Sequence, residues 1–199
     1  MAVRAKDGYH AAMRILAGLV VLLASCAGAP PPPDWQLNAA QSLQIFEQYY
    51  LAGDARADAE FARARSELAR TGREDIVARA ELVRCAVRAA SLEFDECPGF
   101  EGLRAGARAE ELAYADYLAG RSKRPAGPDA LSRLVAAGVS LKSGGATPAL
   151  MDEAVEIASA QGWRRPLLAW LGVLEKRARE AGDDQAAARV RRRIDLISG

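Results

Sequence analysis

Trp170 to Ile197 reads WLGVLEKRAREAGDDQAAARVRRRIDLI, and the way its apolar residues fall decides the fold. Leu171, Leu174 and Ala178, with Leu167 just before them, return at helical spacing. Gly182-Asp183 then breaks the chain, and Ala187, Val190, Ile194 and Ile197 resume the same spacing beyond it. Stripes of helical period on both sides of a Gly-Asp break describe two helices turned back on each other.

The same period extends outward over almost everything after Trp35, and no run alternates as a strand would. A first helix is predicted over Trp35 to Leu51, with Leu37, Ala40, Leu43, Phe46 and Tyr50 on one face. Asp34 can cap it, with Asn38 and Gln41 as a rival capping box, and Gly53-Asp54 ends it. A second carries Ala57, Phe61, Ala64 and Leu68 and stops at Thr71-Gly72. A third begins at Arg73 or Glu74 and carries two stripes, Ile76-Ala80-Val83-Val87-Ala90 and Ala78-Leu82-Cys85-Ala89-Leu92. A helix apolar on two sides is packed on two sides, so this one is expected at the centre of its half.

After a DECPGF turn, a helix from about Ala107 to Ala119 holds Leu112, Ala115 and Leu118, with Tyr114 and Tyr117 beside them. The basic loop GRSKRPAG, residues 120–127, follows. Pro128 is then expected to open a short helix ending near Gly138, and VSLKSGGA, 139–146, to be the most flexible stretch, hinged at Gly144-Gly145. Thr147 and Pro148 start the next helix, with proline at its preferred first position. The expectation is all-α: an array of about seven to eight antiparallel helices in hairpins over residues 35–199.

The hairpin from Trp170 to Ile197 resembles a tetratricopeptide repeat, through Leu171-Gly172, Gly182-Asp183, Ala187 and Ile194. It departs from that pattern in the stretch from Gly172 to Gly182, which is three residues longer than usual. YYLAGDARADAEFARARSEL, residues 49–68, echoes the turn and second helix more faintly. The chain is also similar to the small Arg- and Ala-rich helical lipoproteins of proteobacteria that carry no assigned activity. The resemblance to repeats implies stacked hairpins with an extended protein-binding surface.

The N-terminus reads as an address. Arg4, Lys6 and Arg14 precede an uncharged apolar run from Ile15 to Ala24, with only Asp7 opposing them. A spanning helix needs about 20 apolar residues, so this run has the length of a secretory leader instead. It ends in Leu23-Ala24-Ser25-Cys26, which resembles a bacterial lipobox. That resemblance implies a signal peptide over 1–25, cleavage before Cys26, and lipid on the cysteine sulfur. Residues 26–34 then form a proline-rich tether reaching about 25 Å at most. Ala27 in place of aspartate implies delivery to the outer membrane, with the domain in the periplasm. An ordinary cleaved signal with an incidental cysteine is the alternative.

Loss of the leader leaves 24 basic residues against 25 acidic ones, a balance that does not suit a nucleic-acid binder. The single histidine, His10, goes with the leader. A mature chain without histidine excludes a Ser-His-Asp or Cys-His arrangement and any His-ligated zinc. Cys85 and Cys97 remain, and an even pair in an exported protein reads as a disulfide worth about 3 kcal/mol. Closing it requires the third helix to end near Ser91, with EFDECP turning back over it. Two buried thiols or a redox pair are the alternatives.

Paired carboxylates are the remaining catalytic candidates: Asp152, Glu153 and Glu156 on one helix, Glu110 and Glu111 on another. Glycoside hydrolysis, with peptidoglycan at hand in the periplasm, needs two carboxyls about 5–10 Å apart across a cleft. These acids sit on polar helix faces and are expected to be solvated. GVSLKSGG is not a phosphate loop, because Leu141 and not glycine precedes Lys142. Arg189, Arg191, Arg192 and Arg193 oppose a helix dipole or form a patch for acidic headgroups or an acidic partner. Arg79, Arg84 and Arg88 form a polar stripe in which Glu81 pairs with Arg84. Trp170 is expected in the core, and Trp163 with Arg164 and Arg165 either as an interface anchor or with the indole packed over the helix turn. Together these point to a non-catalytic adaptor with no metal, cofactor or small-molecule site. Its expected partners are a bilayer and another envelope protein. A cell-wall turnover enzyme and a peptidoglycan-associated structural lipoprotein are the rivals.

Overall fold

Asp34, an acidic residue in the first turn, where the helix dipole favours negative charge, opens the first helix of the computed structural model, which describes residues 31–199. The expected leader, Cys26 and the start of the expected proline-rich tether lie outside the described residues. Nine α-helices follow among the described residues, without a strand: α1 (Asp34–Ala52), α2 (Ala57–Ala69), α3 (Glu74–Ala90), α4 (Pro98–Glu101), α5 (Ala109–Leu118), α6 (Ala130–Lys142), α7 (Pro148–Ala160), α8 (Arg164–Glu180) and α9 (Asp184–Ser198). None is long and apolar enough to cross a membrane.

The breaks fall where turn chemistry puts them. Gly182 takes φ +71°, its N–H bonding to Arg179 O while Asp183 N–H reaches back to Ala178 O. That satisfies the orphan carbonyls of α8, and the Asp183 carboxylate then accepts from Ala186 N–H at 2.8 Å to start α9. Thr147 caps α7 in the same way, accepting from Leu150 N–H with Pro148 next to it.

α3 carries both apolar stripes into two separate cores. Val77, Ala80 and Val87 meet Ala39, Phe46 and Tyr50 of α1 and Phe61 and Leu68 of α2. Ala78, Leu82, Ala86 and Ala90 meet Phe100 of α4, Ala115 and Leu118 of α5, Leu134 and Val135 of α6, and residues of α7 and α8. Trp170 of α8 is fully buried there, its indole N–H donating to Ala90 O at 3.2 Å. α8 also touches α1, so the last hairpin is seated against the first helix as well as on α7.

Cys85 and Cys97 are joined by a disulfide with their Cα atoms 5.8 Å apart. α3 stops at Ala90, as the bridge requires, and Leu92 and Cys97 take φ 60° and 53° to reverse the chain. α4 then starts directly at Pro98 and buries Phe100.

Four expectations change. α6 does not stop near Gly138 but runs to Lys142, so half of the supposedly flexible VSLKSGGA is helix and Val139 is buried. Gly138 faces α3, where a Cβ would run into Ala89 O; it is a close-approach glycine and not a helix stop. The α6 start is Asp129, which accepts from Ser132 N–H at 2.8 Å, with Pro128 outside the helix. Leu37 is exposed, because the buried face of α1 runs through Ala39, Phe46 and Tyr50, with Trp35 and Leu43 at its edge. Glu81 is buried and pairs across helices with Arg65 at 2.7 Å, while Arg84 turns to Asp58.

Candidate functional site

α5 and α6 both lie on α3, but an eleven-residue connection, 119–129, separates them. Where they part, a groove of about 850 Å³ opens over α3. Its floor is apolar, made by Leu82 and Val83 of α3 and Val135 of α6. Tyr114 and Tyr117 of α5 form one wall, their ring centroids 5.7 Å apart. The basic loop also lines the groove, through Arg124, Pro125, Ala126 and Gly127.

The charges in the groove are not equivalent. Glu111 is buried, and its carboxylate accepts from Arg79 Nε and Nη2 at 3.0 and 2.7 Å and from Arg108 N–H at 3.0 Å. Burial alone would raise its pKa, but those hydrogen bonds outweigh it and hold the carboxyl below the usual range. The same contact raises Arg79. Glu111 is therefore a fixed anion with no proton to give. Glu110 is open to solvent and only 3.9 Å from Arg79.

Arg124 differs. Its guanidinium sits 5.3 Å from the centre of the Tyr114 ring and has no carboxylate partner among the described residues. Burial pushes the Tyr114 hydroxyl up to about 12 and raises Tyr117 as well, so both phenols remain protonated at physiological pH. The site thus combines an apolar floor, two neutral hydroxyls and one unpartnered cation.

The other acids do not join it. Asp152, Glu153 and Glu156 lie exposed on α7, where Glu153 pairs with Arg133. No cluster of metal-ligating side chains occurs among the described residues.

The residues expected at an interface are largely engaged within the chain. Trp163 is half-buried and packs against both cores. Arg164 donates to Ile197 O at 3.1 Å, at the end of α9. Arg165 donates to Tyr50 O at 2.8 Å and to Glu93 at 2.9 Å, and covers the Tyr50 ring at 4.4 Å. Arg191 shares buried Glu175 with Arg179. Arg189, Arg192 and Arg193 stay exposed on α9.

Tyr114, Tyr117, Glu110, Glu111 and the basic loop each stand out in the sequence, but nothing there assembles them. The available signal was two tyrosines three residues apart with an arginine-rich loop just beyond; α3, which completes the groove, is too far away in sequence to suggest it. No family model matches the chain, and no curated protein and no solved structure matches it either.

Proposed function

We propose that this chain is a lipid-anchored protein of the bacterial envelope, held in the outer membrane through Cys26 with residues 35–199 in the periplasm. It acts as a non-catalytic adaptor that grips a partner protein in the α3–α5–α6 groove. The observation carrying the reading is the groove itself: apolar and aromatic, with a cation left free while its buried carboxylate is locked in an ion pair. Such a mixture suits holding a ligand, because a general acid needs a carboxyl with a raised pKa and Glu111 is pushed the other way. The lipobox-like LASC and the proline tether support the anchoring, and the hairpin turns at Gly53 and Gly182 support the kinship with repeat-type adaptors.

The test is photocrosslinking in intact cells, with a benzophenone amino acid in place of Tyr114, followed by mass spectrometry. One dominant partner, together with acyl chains on Cys26, is the expected result. Recovery of abundant neighbours only, or release of cell-wall fragments by the purified protein, would overturn the reading.

A further inference from the structure

The ligand chemistry follows from what the groove leaves unsatisfied, and the argument rests on the adaptor reading above. A guanidinium held over a ring face without an ion-pair partner keeps N–H groups free, and those match a carboxylate. Arg124 lies over Tyr114 in this way, 5.3 Å from the ring centre. Arg79 does not add to that charge, because Glu111 holds it and Glu110 stands 3.9 Å away, so the demand for an acid comes from Arg124 alone. The floor of Leu82, Val83 and Val135 asks for an apolar group within one side chain's reach of that carboxylate. The two protonated tyrosine hydroxyls can give and take hydrogen bonds with a peptide backbone.

A lipid tail fits badly, because it would lay hydrocarbon along Glu110 and Arg79, which line the same groove. An uncharged glycan would leave Arg124 unanswered. We infer that the groove accepts an extended peptide segment of the partner, with an aspartate, glutamate or terminal carboxylate on Arg124 and a neighbouring apolar side chain on the floor.

The experiment selects a random-peptide display library against the full chain purified in detergent. The enriched sequences should place an acidic residue beside an aliphatic or aromatic one. The synthesised winner should lose about tenfold or more in affinity to Arg124→Ala, as loss of a hydrogen-bonded charge partner requires, with part recovered by Arg124→Lys. Arg124 lies on an exposed loop, so circular dichroism of both variants should match the parent. Enriched peptides without acids, or unchanged affinity in Arg124→Ala, would overturn the inference. So would muropeptides or phosphatidylglycerol vesicles bound through Arg124 without competition from any peptide. If no acidic peptide binds but the Tyr114 crosslink still traps one protein in cells, the adaptor reading stands and only the ligand class fails. If both fail, both are wrong.

Discussion

The two faces of α3 start from similar sequence and end as different things. Toward α1 and α2, Val77, Ala80 and Val87 are closed over by aromatic rings, with Phe46 and Phe61 tilted against each other at 5.1 Å and fully or nearly fully buried. Toward α5 and α6, Ala78, Ala86 and Ala90 are equally buried, but between those two helices Leu82, with Val83 at the border of the two faces, floors an open groove. The difference lies in the neighbours. α1 and α2 are joined by a tight turn and meet along their length, whereas α5 and α6 are held apart by a proline-containing loop that cannot fill the space between them. One apolar helix therefore supplies both stability and a surface, depending on how its partners are connected.

Phe46→Ala strikes the closed side hardest. It removes a fully buried ring from the middle of the α1–α2–α3 core and should cost about 3–5 kcal/mol in urea unfolding. A value near that of an exposed residue would break the distinction between the faces. Reducing the Cys85–Cys97 bridge should cost about 3 kcal/mol, measured as a shift of the denaturant midpoint with and without reductant.

On the open side, Arg79→Met should cost about 1–3 kcal/mol, because buried Glu111 loses the partner that offsets its burial. The pH dependence sharpens this. In the parent, the Glu111 pKa is lowered by folding, so its contribution is present above the ordinary carboxylate value and lost as pH falls through the lowered one. In Arg79→Met that acid-side loss should shrink or reverse, as read from stability curves at several pH values. Arg124→Ala, at the rim, should change stability by less than about 0.5 kcal/mol in the same assay. A larger loss would make Arg124 part of the fold and not of the ligand site.

Much of the helical plan was legible from neighbours a few residues apart. Gly53, Gly72 and Gly182 end helices, Thr147 and Asp183 cap them, and the two stripes of α3 foretell its central place. The bridge was legible too, since its closure demanded the stop at Ala90 that α3 makes. These are signals within one or two helical turns, and local hydrogen bonds and periodicity determine them whatever surrounds the chain.

Tertiary structure decided the rest. Gly138 looked like a stop and proved to be a contact, because only the approach of Ala89 O from α3 gives a missing Cβ its meaning. Arg165 looked like an interface residue and became a brace between α8, α1 and Glu93, across separations of 115 and 72 residues. Arg79 and Glu111 sit 32 residues apart, and nothing local couples them. The sequence by itself determined where helices begin, end and turn their apolar faces. Which faces close on one another, and which are left apart as a groove, depended on loop reach and side-chain volume summed over the whole chain.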